Sequence, residues 1–157
     1  QERYDKLVIQ LAKKPTTHNN STTNNINIAT FDKTDYDIQS IVEEKYQKQH
    51  ILQGQKGVAR FTVHQILERK EDEDPIYMVV DRSRGHGKFK ISDDKVIHDP
   101  GMKKLTNKVY PHVKKKACNI YKDEEKPFND DEQEAFQEVV LMCDDNTGFR
   151  KEMSLLL

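Results

Sequence analysis

The chain has 157 residues, a formal net charge of −1, and 34% each of apolar and charged residues. This length suffices for one domain with a modest core, and the polar excess predicts a segment outside that core. The near-zero net charge excludes a uniformly cationic surface, so binding to nucleic acid or membrane must depend on a local patch. The sequence contains no long apolar run and no secretory signal, and its two cysteines are Cys118 and Cys143. We therefore expect an intracellular protein in a reducing compartment and no membrane partner.

The sequence pattern of the first 30 residues predicts a helix followed by a linker. Residues 1–14 carry apolar side chains at helical spacing, namely Tyr4, Leu7, Val8 and Leu11. This pattern predicts a coiled-coil-like helix that ends at Pro15. Two turns of such a seam cannot hold a coiled coil alone, so we expect the helix to continue upstream or to pack on the domain. Residues 15–30 are rich in Asn and Thr and predict a polar linker ending in a short arm.

We expect residues 31–148 to form the folded domain, in which helices come first and strands follow. Thr34 is a good N-cap for a first helix that ends near His50. The segment 54–57 contains two glycines and predicts a turn before a second helix over 58–70. Three short apolar or alternating runs at 76–80, 88–91 and 95–98 then predict an antiparallel meander with one face covered by helices.

Two further helices close the domain. Apolar residues recur every three or four positions from 102 to 120, which predicts a long helix that Pro111 kinks or divides. Asn129 and Asp130 cap a last helix to Cys143, with Gly148 as its C-terminal cap. Residues 149–157 form a tail, which we expect to be either one more helix or an oligomer contact. The predicted fold is therefore α+β: a small antiparallel β-meander against four or five helices, preceded by the coiled-coil-like helix and the linker.

Charges are strongly segregated in the second half of the chain. Residues 101–122 contain seven lysines and no acid, whereas residues 123–138 contain eight acids and one lysine. Helical spacing places Lys104, Lys108 and Lys115 opposite the apolar stripe, where they could bind successive phosphates of a nucleic-acid backbone. The alternative is that the acidic helix packs beside the basic one and neutralises it.

A second basic cluster surrounds a turn that contains two glycines. Its members are Arg82, Arg84, His86, Lys88 and Lys90. The planar guanidinium of arginine suits phosphate, and glycines let backbone N–H groups approach an anion. Tyr77 and Phe89 are candidates to stack on bases. The alternative is a hairpin turn whose charges protect the edge of a sheet.

No pattern in the sequence is typical of an enzyme or a metal site. There is no Cys-x-x-Cys or His-x-x-x-His pair, and Ser83 lies in no nucleophile elbow. Asp81 with Lys88 and Lys90 is faintly similar to a metal-dependent nuclease motif, but Lys88 stands where a second carboxylate would be needed. We therefore expect a non-enzymatic protein without a metal or another cofactor.

Several short motifs follow one another in a distinctive order. They are Asn27-Ile28, Phe31-Asp32-Lys33-Thr34, the run 53–61, Tyr77, Asp81-Arg82-Ser83-Arg84, Lys88-Phe89-Lys90 and Lys103-Lys104-Leu105-Thr106. This order resembles the C-terminal domain of proteins encoded by large DNA viruses and related mobile elements. In those proteins the domain often follows a zinc finger, a coiled coil and an Asn-rich linker. The resemblance covers residues 20–122. It implies a viral, multimeric protein located in the host cytoplasm, the nucleus or the virion. It also implies nucleic-acid contact through an upstream zinc finger, which has no counterpart among these residues.

Two functional hypotheses follow. The first is an oligomeric viral interaction module that associates through its N-terminal helix and binds DNA or RNA without reading sequence. The residues expected to contact phosphate are Arg82, Arg84, Lys88, Lys90, Lys104, Lys108 and Lys115. The second is a structural or assembly protein of a virion or scaffold that does not bind nucleic acid.

Overall fold

A computed structural model describes residues 27–157, so the predicted N-terminal helix and most of the linker lie outside the described residues. The α-helices are α1 (Asp35–Lys45), α2 (Lys48–Ile51), α3 (Gly54–Phe61), α4 (Lys103–Asp123), α5 (Asp130–Val140) and α6 (Thr147–Leu156). The strands are β1 (Met78–Asp81), β2 (His86–Ser92) and β3 (Lys95–Asp99), which form an antiparallel sheet in the order β1-β2-β3. The predicted α+β fold with its β-meander is confirmed.

Helix α1 begins as predicted and ends earlier. The backbone N–H of Asp37 donates to Thr34 Oγ1 at 3.1 Å, and Thr34 N–H donates back to the Asp37 carboxylate at 2.9 Å. The helix stops at Lys45 because the chain restarts at Gln47, whose N–H donates to His50 Nδ1 at 2.9 Å. The predicted single helix to His50 is therefore two helices.

The glycines at 54 and 57 do not form the predicted turn, because Gly54–Phe61 is helix α3. A Cβ on Gly57 would clash with the carbonyl oxygen of His50, so this glycine allows α3 to pack closely on the preceding turn. The helix also ends earlier than predicted, passing into a π-helical turn at Thr62–Ile66.

The sheet has one covered and one open face. Phe89, in the middle of β2, is 3% exposed and lies opposite Ile97 of β3. Its neighbours Lys88 and Lys90 alternate to the other face. The predicted arm lies along the sheet, since Phe31 N–H donates to the Lys90 carbonyl at 2.9 Å.

A buried carboxylate joins the sheet to the long helix. Asp99, at the end of β3, is 1% exposed. It accepts hydrogen bonds from the N–H groups of Lys104 at 2.7 Å and Leu105 at 2.9 Å, and from the Tyr77 hydroxyl at 2.9 Å. Burial, reinforced by Asp99, raises the pKa of Tyr77. Helix α4 then runs unbroken through Pro111, which excludes the two-helix alternative.

The C-terminal segment belongs to the core. Of the two alternatives for the tail, one more helix is correct: residues 149–156 belong to helix α6, and Phe149 and Met153 are completely buried. Gly148 is not the cap of α5, which ends at Val140, but lies in the first turn of α6. Gln55 anchors this turn by accepting from Phe149 N–H at 3.0 Å and donating to the Asp145 carbonyl at 2.6 Å. A short apolar segment such as this is stabilised by packing on the core, and its own periodicity is too short to predict that packing.

Candidate nucleic-acid interface

The lysines of α4 form a row on the open side of the helix. The opposite side contains the core residues Leu105, Val109, Val113 and Ala117, all completely buried. Lys104 and Lys115 are exposed, and Lys108 is half-buried. Positions 104, 108 and 115 lie close together around the helix axis at 3.6 residues per turn. We call these three residues the lysine row.

The acidic helix α5 does not neutralise the lysine row. Within residues 27–157, no ion pair joins a lysine of α4 to a carboxylate of α5. Glu132 of α5 instead lies 3.8 Å from Lys48 of α2. Aromatic contacts join α4 to α5, with the rings of Tyr121 and Phe136 stacked at 4.5 Å between centroids. The two charged helices therefore pack through their apolar sides and keep their charges apart.

Two other basic side chains of α4 are engaged with α1. His112 Nε2 lies 2.8 Å from the Asp35 carboxylate, and Lys116 donates to the carbonyl oxygen of Glu43. These contacts hold α4 against α1.

A cleft opens beside the N-terminal half of the lysine row. It has a volume of about 480 Å³. Its polar lining is Lys33, Asp35, Lys104, Asn107 and Lys108, and its apolar lining is Ile38, Phe89, Ile91 and Ile97. Lys108 Nζ lies 5.0 Å from the ring centroid of Phe31 and 5.3 Å from that of Phe89. This cation–π contact orients Lys108 over the covered face of the sheet, at Phe89.

The aromatic residues predicted to stack on bases are buried and not accessible to a base. Tyr77 and Phe89 are 2% and 3% exposed. A Cβ on Gly87 would clash with the Tyr77 ring, because this ring packs directly against the backbone of β2. Both aromatic residues lie on the covered face of the sheet, so that part of the prediction was wrong.

The two arginines of the β1–β2 turn have different environments. Arg82 donates to the carbonyl oxygen of Ser154 and, at 2.6 Å, to that of Leu157, so it caps the last turn of α6. The Arg84 side chain is 74% exposed, with Nε 3.7 Å from the Asp81 carboxylate. Asp81 accepts from Ser83 Oγ at 2.8 Å and from Arg84 N–H at 3.2 Å, and these hydrogen bonds lower its pKa.

The seven predicted residues therefore do not form one site. Lys104, Lys115 and Arg84 present exposed charge, and Lys108 is half-buried. Arg82 is engaged in the helix cap, and Lys88 and Lys90 lie on the sheet face that points away from α4. Strand alternation separates Lys88 and Lys90 from the lysine row although they are near it in sequence.

Three further cations connect Arg84 to the lysine row. Lys103 belongs to the lysine-rich segment 101–122, whereas Arg150 and Lys151 were not among the predicted basic clusters. Arg150 and Lys151, in the supposed tail, line a cleft with Arg84. Arg150 Nη1 and the Lys103 side chain both lie within 4.0 Å of the position that a Cβ would take on Gly101. We call the combined set the basic surface: Arg84, Arg150, Lys151, Lys103 and the lysine row. The available signal was the dibasic pair Arg150-Lys151 soon after Gly148.

Other kinds of site are absent from the part of the chain that the structure covers. Residues 27–157 contain no group of three or more His, Cys, Asp or Glu side chains placed to hold a metal ion. Over the same range we find no helix with the length and apolar character needed to span a lipid bilayer. Both cysteines, Cys118 and Cys143, carry free thiols.

None of the comparisons with known proteins indicates a function. No protein-family model matches the chain, and neither the curated proteins nor the solved structures give a significant match.

Proposed function

We propose that this protein is a non-enzymatic interaction module that binds nucleic acid through phosphates, without reading base sequence. The observation that supports it most directly is that Lys104 and Lys115 are exposed, and that within residues 27–157 no ion pair joins the lysine row to α5. Exposed lysines act as point charges for phosphate oxygens and carry little base specificity. The resemblance to viral proteins supports a viral origin and an intracellular site of action.

The dimensions of the lysine row fit a nucleic-acid backbone. From Lys104 to Lys115 the helix rises roughly 16 Å at about 1.5 Å per residue. This length corresponds to about five base pairs of duplex DNA at about 3.4 Å each. Lys103, Arg150 and Arg84 extend the charge beyond the N-terminus of α4. Together they provide a positive track in a molecule whose net charge is −1.

Fluorescence anisotropy with labelled DNA and RNA at about 50 and 200 mM salt tests this function. We expect binding that weakens steeply with salt. The double variant Lys104→Gln/Lys115→Gln should reduce the slope of log K against log salt by about 2, because each lost phosphate contact removes about one unit. The matched control is Lys88→Gln/Lys90→Gln, which removes two lysines from the other face of the sheet. Equal losses in both variants, or no binding at the lower salt, would contradict the proposal.

The second candidate function is assembly, and a different surface favours it. Strand β1 is an edge strand of the described sheet, and Val80 is 49% exposed. An apolar groove of about 480 Å³ runs beside it, lined by Pro75, Met78, Val79 and Leu157 among others. An unpaired edge with an apolar side is suited to pairing with a second copy of the chain.

Sedimentation velocity separates the two routes to self-association. If β1 forms the contact, Val80→Lys should convert an oligomer to a monomer. If the predicted N-terminal helix forms it, removal of residues 1–26 should do so and Val80→Lys should not. A monomer at all accessible concentrations would contradict the assembly function.

A further inference from the structure

A second cleft lies between the β1–β2 turn and the first turn of α6. It has a volume of about 170 Å³, and its charged lining consists of Arg82, Arg84, Arg150 and Lys151. Because Arg82 caps the end of α6, the cations that face an incoming ligand are Arg84, Arg150 and Lys151. Ser83 and Thr147 add hydroxyl groups to the lining.

Arg150 is held in place without a carboxylate partner. Its Nη1 donates to the carbonyl oxygen of Arg84 and its Nη2 to Thr147 Oγ1, both at 3.3 Å. Its aliphatic part packs on Gly85, where a Cβ would stand 3.0 Å from the Cβ of Arg150. Gly85 has φ +65°, a conformation that suits glycine in this turn. Within residues 27–157 Arg150 forms no ion pair, and its Nε is buried with no hydrogen-bond acceptor.

The carboxylates nearest to the cleft are already engaged. Asp81 accepts from Ser83 Oγ and from Arg84 N–H. Asp145 accepts from Thr147 N–H at 3.0 Å and from Thr147 Oγ1 at 2.6 Å. Each carboxylate therefore organises one wall of the cleft. Asp81 also lies 3.7 Å from Arg84 Nε, whereas Arg150 and Lys151 form no ion pair within residues 27–157. A guanidinium has five N–H donors, and within residues 27–157 that of Arg150 makes two hydrogen bonds, from Nη1 and Nη2. An anion that accepts from a remaining N–H would stabilise this arrangement.

We propose that this cleft binds a phosphomonoester dianion. Such a group carries close to two negative charges and three strong acceptor oxygens, which match a fixed guanidinium and two further cations. This goes beyond contact with a nucleic-acid backbone, in which each internal phosphate carries one charge and is flanked by a sugar on both sides. A terminal phosphate of a nucleic-acid chain and a free phosphate share the required chemistry.

Isothermal titration of the full chain with inorganic phosphate tests the site. We expect saturable binding that becomes about tenfold weaker in Lys151→Gln and in Arg84→Gln, since each loses one charge-assisted contact. Both side chains are exposed, so these variants should fold normally. Lys56→Gln, on the exposed side of α3, is the matched control and should bind like the unchanged protein. Arg150→Lys keeps the charge and loses the planar fork, so it should also bind more weakly.

Absence of saturable phosphate binding at millimolar concentration would overturn the proposal, and so would equal binding by Lys151→Gln and Lys56→Gln. Oligonucleotides of one sequence, with and without a 5′-phosphate, then identify the source. Tighter binding of the phosphorylated strand, lost in Lys151→Gln, would support a nucleic-acid end as ligand. Equal binding of both strands, together with phosphate binding in the cleft, would support a free monoester. If phosphate binds and neither strand does, the cleft is supported and the proposed nucleic-acid function fails separately.

Discussion

The lysines of β2 and those of α4 are close in sequence and chemically identical, yet they occupy different surfaces. Lys88 and Lys90 are two apart on a strand, so both point to the face opposite Phe89, away from the helices. Lys104 and Lys108 are four apart on a helix, so both lie on one side of α4 and line the cleft beside the covered face of the sheet. The difference teaches that the nearness of charges in a sequence does not make a site. The period of the element and the side on which it is buried decide which charges act together.

Asp99 joins these two regions, and its removal should have the largest effect. In Asp99→Ala the N–H groups of Lys104 and Leu105 and the buried Tyr77 hydroxyl all lose their acceptor. We expect the free energy of unfolding to fall by about 3–5 kcal/mol, because each buried donor left unpaired costs about 1–3 kcal/mol. Urea unfolding measures the change. The exposed Asp93→Ala is the control and should stay within about 0.5 kcal/mol of the unchanged protein.

The two arginines of the β1–β2 turn provide a second test of the contrast between engaged and exposed charge. Arg82→Ala removes two hydrogen bonds to the last turn of α6 and should lower the free energy of unfolding by about 1–2 kcal/mol. Arg84→Ala removes an exposed side chain and should change it by less than about 0.5 kcal/mol. Thermal unfolding of both variants measures the difference. Similar destabilisation by the two substitutions would contradict the assigned roles.

Charge reversal on the two elements tests the comparison directly. Lys104→Glu should weaken DNA binding by about tenfold, or about 1.4 kcal/mol, since it replaces attraction to phosphate with repulsion. Lys88→Glu makes the same change on the open face of the sheet and should weaken binding far less. Competition anisotropy at low salt provides the measurement. A larger effect at Lys88 would mean that the sheet, and not α4, faces the nucleic acid.

Within the lysine row, Lys108 should differ slightly from Lys104 in its contribution to stability. Lys108 lies over the rings of Phe31 and Phe89, whereas Lys104 has no such contact in the structure of residues 27–157. Lys108→Gln should therefore lower the free energy of unfolding by about 0.5–1 kcal/mol. Lys104→Gln should leave it nearly unchanged. Parallel urea titrations measure the two values, and equal values would indicate that the ring contact is not stabilising.

Local signals in the sequence were sufficient to predict the α+β class, the capping box at Thr34, the three strands and the apolar stripe of α4. Capping, strand alternation and helical periodicity are properties of neighbouring residues, so they can be interpreted without knowing the fold. The same periodicity placed Lys104, Lys108 and Lys115 on one side of their helix, and that part of the candidate site was predictable.

Contacts between distant segments required the tertiary structure. The packing of α3 against the preceding turn decided that Gly54 and Gly57 belong to a helix. The packing of Phe149 and Met153 decided that residues 149–157 are core and brought Arg150 beside Arg84. Other contacts between distant segments made Arg82 a helix cap, buried Tyr77 beside Asp99 and Phe89 beside Phe31, and packed α5 on α4 through aromatic rings. The sequence by itself determined which residues share a face of one element. Only the tertiary structure decided which faces meet, because burial and charge pairing depend on segments far apart in the chain.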